Sequence, residues 1–167
     1  MTSSTLTNIR NFVLLTLAQV FIFSHIHLFG YATAYIYLIF IIKLPRHTST
    51  NALMIWAFLS GLTVDIFSNT PGINCAAATT MAFARNTLLV TFTHKGIPED
   101  FIPGATSIKW GGYLVYSFLC IVLFYIILFL LELFTISNIV PLLISIASST
   151  LLTMLFVVVT ECFSFRK

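Results

Sequence analysis

Gly61-Leu62-Thr63-Val64-Asp65-Ile66-Phe67-Ser68-Asn69-Thr70-Pro71-Gly72-Ile73 lies between two apolar runs, and its reading decides how the chain is organised. The run before it carries Ala57, Gly61 and Asp65, each one helical turn after the last. Small residues at that spacing let a neighbouring helix approach backbone to backbone. Asn69-Thr70-Pro71-Gly72 reads as a turn, and proline suits the first turn of the helix that follows. That helix is unusually small-sided, with Ala76, Ala77, Ala78, Thr79, Thr80, Ala82 and Ala84, and it carries Arg85. The expectation is a tight pair of helices, one bearing a carboxylate and the other a guanidinium.

Outward from this pair the whole chain keeps the same character. Of its 167 residues 59% are hydrophobic before glycine is counted and 8% are charged, against roughly 45–50% apolar including glycine and about 25% charged in a soluble protein. A bilayer-crossing helix takes about 20 apolar residues. Apolar runs broken by polar clusters give six candidate spans, at about 11–27, 29–44, 51–67, 71–92, 112–134 and 139–163. The expected fold class is therefore all-α, a polytopic bundle of six transmembrane helices forming a single integral membrane domain over residues 1–167. The one loop of any size, Thr93 to Lys109, holds Pro98, Glu99, Asp100 and Pro103. That leaves no room for a separate soluble catalytic or nucleic-acid-binding domain.

Eight Lys and Arg against five Asp and Glu give a formal charge of +3, too sparse for a nucleic-acid stripe. The cations read better as topology markers. Six spans with both termini cytoplasmic put Arg10, Lys43, Arg46, Lys95, Lys109, Arg166 and Lys167 inside and leave the outer turns without Lys or Arg. Five spans, with the first two runs fused, separate the charges less cleanly. Arg10, the run to Phe23 and Ala32-Thr33-Ala34 resemble the regions of a signal peptide, but the small-residue site falls well past the apolar run, so cleavage is not expected. Cys75, Cys120 and Cys162 are widely spaced without metal spacing. His25, His27, His47 and His94 show no metal-binding motif.

Ionisable groups inside spans cost about 2.5–3.5 kcal/mol each on insertion scales and face protein or water. Asp65, Arg85, Glu132 and Glu161 need such an account. For Asp65 three readings stand: a carboxylate bonded within helix packing, a partner or ligand contact, or a proton carrier. At about 1.5 Å per residue, Asp65 and Arg85 sit at different depths, so Arg85 is expected either to snorkel to the cytoplasmic interface or to meet Glu161, rather than Asp65. Glu132 reads as a solvated charge at a helix end. Glu132 and Glu161 are thus candidates for buried polar or charged contacts. No catalytic motif appears, and no cofactor is implied. Ser145, Ser148, Ser149, Thr150 and Thr153 read as hydrogen-bonding groups on the last helix.

The stretch Gly61 to Ile73, with the Ala-rich helix ending in Met81-Ala82-Phe83-Ala84-Arg85, resembles the rod shape-determining MreD family, in forms similar to those of Bacteroidetes-type bacteria. The positions matching that family are Gly61, Asp65, Pro71, Gly72 and Arg85, while Asn86 stands where a proline commonly follows. With Ala57 they form the candidate partner-binding or helix-packing set. The resemblance implies a non-enzymatic inner-membrane component of the cell-wall elongation machinery, with a fold similar to the substrate-binding components of energy-coupling-factor vitamin importers. Implied partners are an MreC-type single-span periplasmic protein and, through it, the MreB filament and the elongation transpeptidase and glycosyltransferase. The alternative is a vitamin-type small-molecule binder, whose pocket would draw on Trp56, Asp65, Asn69, Asn74 and Tyr116. Only Ala18 is present where importer subunits often carry an Ala-xxx-Ala signature on the first helix.

Overall fold

The structure, a computed structural model, describes residues 2–21, 33–70, 72–93, 101–132 and 139–165. Seven helices account for most of them: α1 (Thr2–Phe21), α2 (Tyr37–Ile42), α3 (Thr50–Ser68), α4 (Ile73–Phe92), α5 (Ala105–Ile108), α6 (Trp110–Glu132) and α7 (Ile139–Phe165). No strand occurs among the described residues.

Among the described residues, three stretches are long and apolar enough to cross a membrane: α3, α6 and Leu143–Phe163 of α7. Their outward residues are those of a lipid-facing surface. Ile66 on α3, Leu130 on α6 and Leu151 and Phe163 on α7 are each more than half exposed, and a soluble monomer does not spread large apolar side chains over its surface in this way. The chain is thus an all-helical, membrane-embedded protein.

Local chemistry sets the helix limits. Ser49 caps α3 by accepting from the backbone N–H of Ala52 at 3.4 Å, and Asn69 ends it in the left-handed conformation, φ 54°. Asn tolerates that region better than most residues. α4 packs chiefly on α3 and α6, and α6 also on α7. The core joins Leu53 and Ala57 of α3, Met81 of α4, and Tyr116 and Phe124 of α6 around α2.

The stretch 29–44 does not form the continuous span expected of it. Residues 29–32 lie outside the described ones, 33–35 are not helical, and Ile36 is the N-cap of a helix of only six residues. At about 1.5 Å per residue such a helix covers roughly 9 Å, far short of a hydrocarbon core of about 30 Å. Every residue of α2 is at most 5% exposed. Hydropathy cannot separate a segment facing lipid from one enclosed by protein, since both are apolar all round.

The polar loop before α6 also holds structure that composition does not announce. Phe101 accepts from the backbone N–H of Arg46 at 3.1 Å, and Gly104 accepts from Ser107 and Ile108 to build α5. α1 starts nine residues before the expected limit at Asn11, and the remainder of that expected span, 22–27, lies outside the described residues.

Candidate functional site

The polar interior gathers at three levels along α2 and its neighbours. At the first, Gly72 starts α4 with φ 77° and has no side chain with which to cap it. Asp65 supplies the cap from the preceding helix. Its Oδ2 accepts from Cys75 N–H at 2.8 Å, and its Oδ1 accepts from Asn74 N–H at 3.1 Å, Asn74 Nδ2 at 3.0 Å and Thr70 Oγ1 at 2.6 Å. These backbone donors belong to the second and third residues of α4, the groups a helix leaves unpaired at its start. A carboxylate there is favoured by the helix dipole as well. Asp65 is 4% exposed, and four donors replace the water it has lost.

Gly61, one turn earlier, explains how the two helices come so close. A Cβ on it would lie 2.6 Å from Cys75 Cα and 2.8 Å from both Asn74 O and Cys75 N. Ala57 is fully buried another turn back. The small face read from the sequence is thus covered by α4 of the same chain at Gly61 and buried at Ala57.

At the second level, the non-helical stretch before α2 is held by side chains from three helices. Gln19 of α1 accepts from Ile36 N–H at 2.7 Å and donates to Ala34 C=O at 3.0 Å. Ser149 and Thr153 of α7 accept from Thr33 N–H at 3.1 Å and Tyr35 N–H at 3.4 Å. Tyr125 of α6 donates to Thr33 C=O at 2.7 Å and shares a hydrogen bond with Thr153 at 2.6 Å. Irregular backbone at membrane depth is tolerated only when enclosed and bonded in this manner.

At the third level, Arg85 of α4 meets the other end of α2. Its Nη2 donates to the carbonyls of Ile42, at 3.1 Å, and Leu44; Nε donates to Tyr116 Oη at 3.0 Å and Nη1 to Asn86 Oδ1 at 3.1 Å. Tyr116 donates to Ile42 C=O in turn, at 3.3 Å. Arg85 is fully buried. The guanidinium therefore serves as a C-terminal cap, where a cation suits the helix dipole, and its rigid fork reaches several acceptors together.

The expected contact between Arg85 and Glu161 does not occur. Glu161 pairs instead with Lys43, Oε2 to Nζ 2.8 Å, and its Oε1 accepts from Ala105 N–H at 2.8 Å. One carboxylate thereby ties α7 to the end of α2 and the start of α5. Gly104 leaves the necessary space, since a Cβ there would stand 2.9 Å from Glu161 Oε1. The backbone carbonyls of Ile42 and Leu44 satisfy the guanidinium in place of a carboxylate. As expected, Arg85 and Asp65 have separate partners.

Of the other candidate residues, Glu132 is half-buried near the end of α6, Gly72 sits in open space at the head of α4, and Pro71 lies outside the described residues. The groups considered for a small-molecule pocket fall in different places. Asp65 and Asn74 bond each other, Tyr116 serves Arg85, and Trp56 packs on Phe12 and Phe40 with centroids 5.2 and 5.7 Å away. No group of three or more His, Cys, Asp or Glu with metal-holding geometry occurs among the described residues. Gln19 and Tyr125 were missed from sequence. An amide inside an apolar run at Gln19 was the available signal.

No family model, curated protein or solved structure matches the chain.

Proposed function

We propose that the chain is a multi-pass scaffold of the bacterial inner membrane, with both termini cytoplasmic, that works in cell-wall elongation in the manner of the MreD family. It docks an MreC-type single-span protein within the bilayer and through it contributes to rod shape and side-wall peptidoglycan synthesis. The resemblance over Gly61 to Arg85 motivates this reading. The observation that carries it is how the charges of that segment are used: Asp65 and Arg85 each bond to the chain's own helix ends, so they hold the bundle together rather than offer chemistry to a substrate. What the bundle presents outward is large apolar side chains such as Ile66, Phe67, Phe83 and Leu151. Partners then dock by shape and packing against these faces, as helices do in lipid. Gly61 is turned to α4 and Ala57 is buried in the core, so neither takes part in docking.

The test is purification of the tagged chain in mild detergent, alongside depletion in its host. Recovery of a single-span periplasmic protein, with rods becoming round on depletion, is the expected pair of results. Recovery of no membrane partner together with unchanged cell shape sinks the proposal.

A further inference from the structure

Lys109 joins α5 to α6 with φ 66° and ψ 150°. Glycine alone enters that region freely, and other residues held there gather at clamps and switches, because their surroundings and not the local chain impose the geometry. The strain has a definite mechanical position. The Lys109 carbonyl accepts from Tyr113 N–H at 3.0 Å and so belongs to α6, while its nitrogen follows directly on Ile108 of α5. Rotation about φ of Lys109 therefore swings the chain before it and leaves α6 in place. Lys109, Trp110 and Gly111 are all exposed, so the joint lies at the surface.

Before the joint, residues 101–108 form a short strap with three anchors. Phe101 C=O accepts from Arg46 N–H at 3.1 Å. Ile108 is buried, and it lies so near α6 that a Cβ on Gly112 would stand 3.1 Å from its Cγ2. Ala105, also buried, donates its N–H to Glu161 Oε1 at 2.8 Å. The third anchor is unlike the others, because the same carboxylate pairs with Lys43 at 2.8 Å. A hydrogen bond to an ionised acceptor is about twice as strong as a neutral one, and this one makes the seating of the strap depend on α7 and the end of α2 together. Glu161 in turn is only 4% exposed while the strap is seated, with Gly104 pressed against its Oε1.

We infer that residues 101–108 are a hinged strap, turning about Lys109 between the seated form, latched by Glu161, and a released form in which that carboxylate is uncovered. The strain at Lys109 favours release and the three anchors oppose it. The device needs no partner protein and stands apart from the scaffold function.

The test uses the full chain in detergent carrying Ala105→Cys or Thr106→Cys, with reaction toward N-ethylmaleimide followed residue by residue from peptide masses. Thr106 is exposed in the seated form, and the native Cys120, fully buried in α6, reports on the bundle itself. The expected result is that Ala105→Cys reacts at least about tenfold more slowly than Thr106→Cys, its rate set by local opening. Adding Glu161→Ala closes most of that gap while Cys120 stays unreactive. Adding Lys109→Gly instead slows Ala105→Cys several-fold further, because glycine takes up the seated backbone without strain. Equal reaction of the Ala105→Cys and Thr106→Cys chains overturns the inference, as does continued protection in Glu161→Ala. So does reaction of Cys120 alongside, since the carboxylate would then hold the whole bundle and not a strap. Should Glu161→Ala not fold, Lys109→Gly decides alone: slower reaction upholds the hinge, and unchanged or faster reaction overturns it.

Discussion

Cys75 presents its backbone N–H to the Asp65 carboxylate at 2.8 Å, so the cap of one helix belongs to the helix before it. A turn that needs Gly72 at φ 77° gives up the usual Ser, Thr or Asp at the cap position, and Asp65 replaces it from a full helix end away. Turn, cap and helix pairing thus depend on one side chain.

Replacing Asp65 by Ala strands the N–H groups of Asn74 and Cys75. Leaving buried donors unpaired costs about 1–3 kcal/mol, and we expect a loss in that range or above it because two are affected. Asp65→Asn keeps one accepting oxygen and should fall between wild type and Asp65→Ala. Unfolding in mixed detergent micelles, followed by circular dichroism, ranks the three. An Asn variant less stable than the Ala variant contradicts the capping role.

Gly61→Ala sets a methyl 2.6 Å from Cys75 Cα. Backbone cannot yield as a side chain can, and overpacking of this sort costs about 1–3 kcal/mol. Gly111→Ala is the matched control, since a Cβ there meets nothing within 4 Å; it should be neutral or slightly stabilising within its helix. Equal stability of the two variants contradicts the close approach.

Arg85→Lys keeps the charge and loses the fork. A single ammonium on a flexible stem cannot reproduce the bonds to Ile42, Leu44, Tyr116 and Asn86 together. We expect Arg85→Lys to lose most of the stability that Arg85→Met loses, with hydrogen bonds to a charged group contributing about 1.5–3 kcal/mol each. Full retention of stability in Arg85→Lys shows that charge alone suffices.

Gln19→Leu removes the acceptor of Ile36 N–H and the donor to Ala34 C=O while keeping similar bulk. The loss should be local: faster amide hydrogen exchange at Ile36, with exchange in the middle of α6 little changed. Uniform acceleration across the bundle shows instead that Gln19 supports the whole fold.

Much of this architecture is legible in the residues. Polar breaks such as Ser49 and Asn69 mark helix ends because their side chains or conformations compete with the helix, and that competition is local. The Ala57–Gly61 face is legible for the same reason, since small size at a four-residue spacing has one main use in packing. The run from Phe29 to Leu44 is not legible as a buried half-helix. Its apolarity is equally suited to lipid, and the groups that shelter it, Tyr125, Ser149 and Thr153, lie on distant segments. The Arg85 site is misjudged for a related reason. A search for an opposite charge finds Glu161, whereas the acceptors used are the carbonyls of Ile42 and Leu44, which every residue possesses and no sequence pattern distinguishes.

The enclosure of α2 also constrains the order in which the protein can be made. Thr33 finds its partner Ser149 at a separation of 116 residues, and Tyr125 at 92. When the segment around Thr33 leaves the ribosome, the groups that will hold it have not been synthesised. Its backbone groups find these partners only after α7 has been made, so the second hydrophobic run of the chain is among the last to complete its bonds.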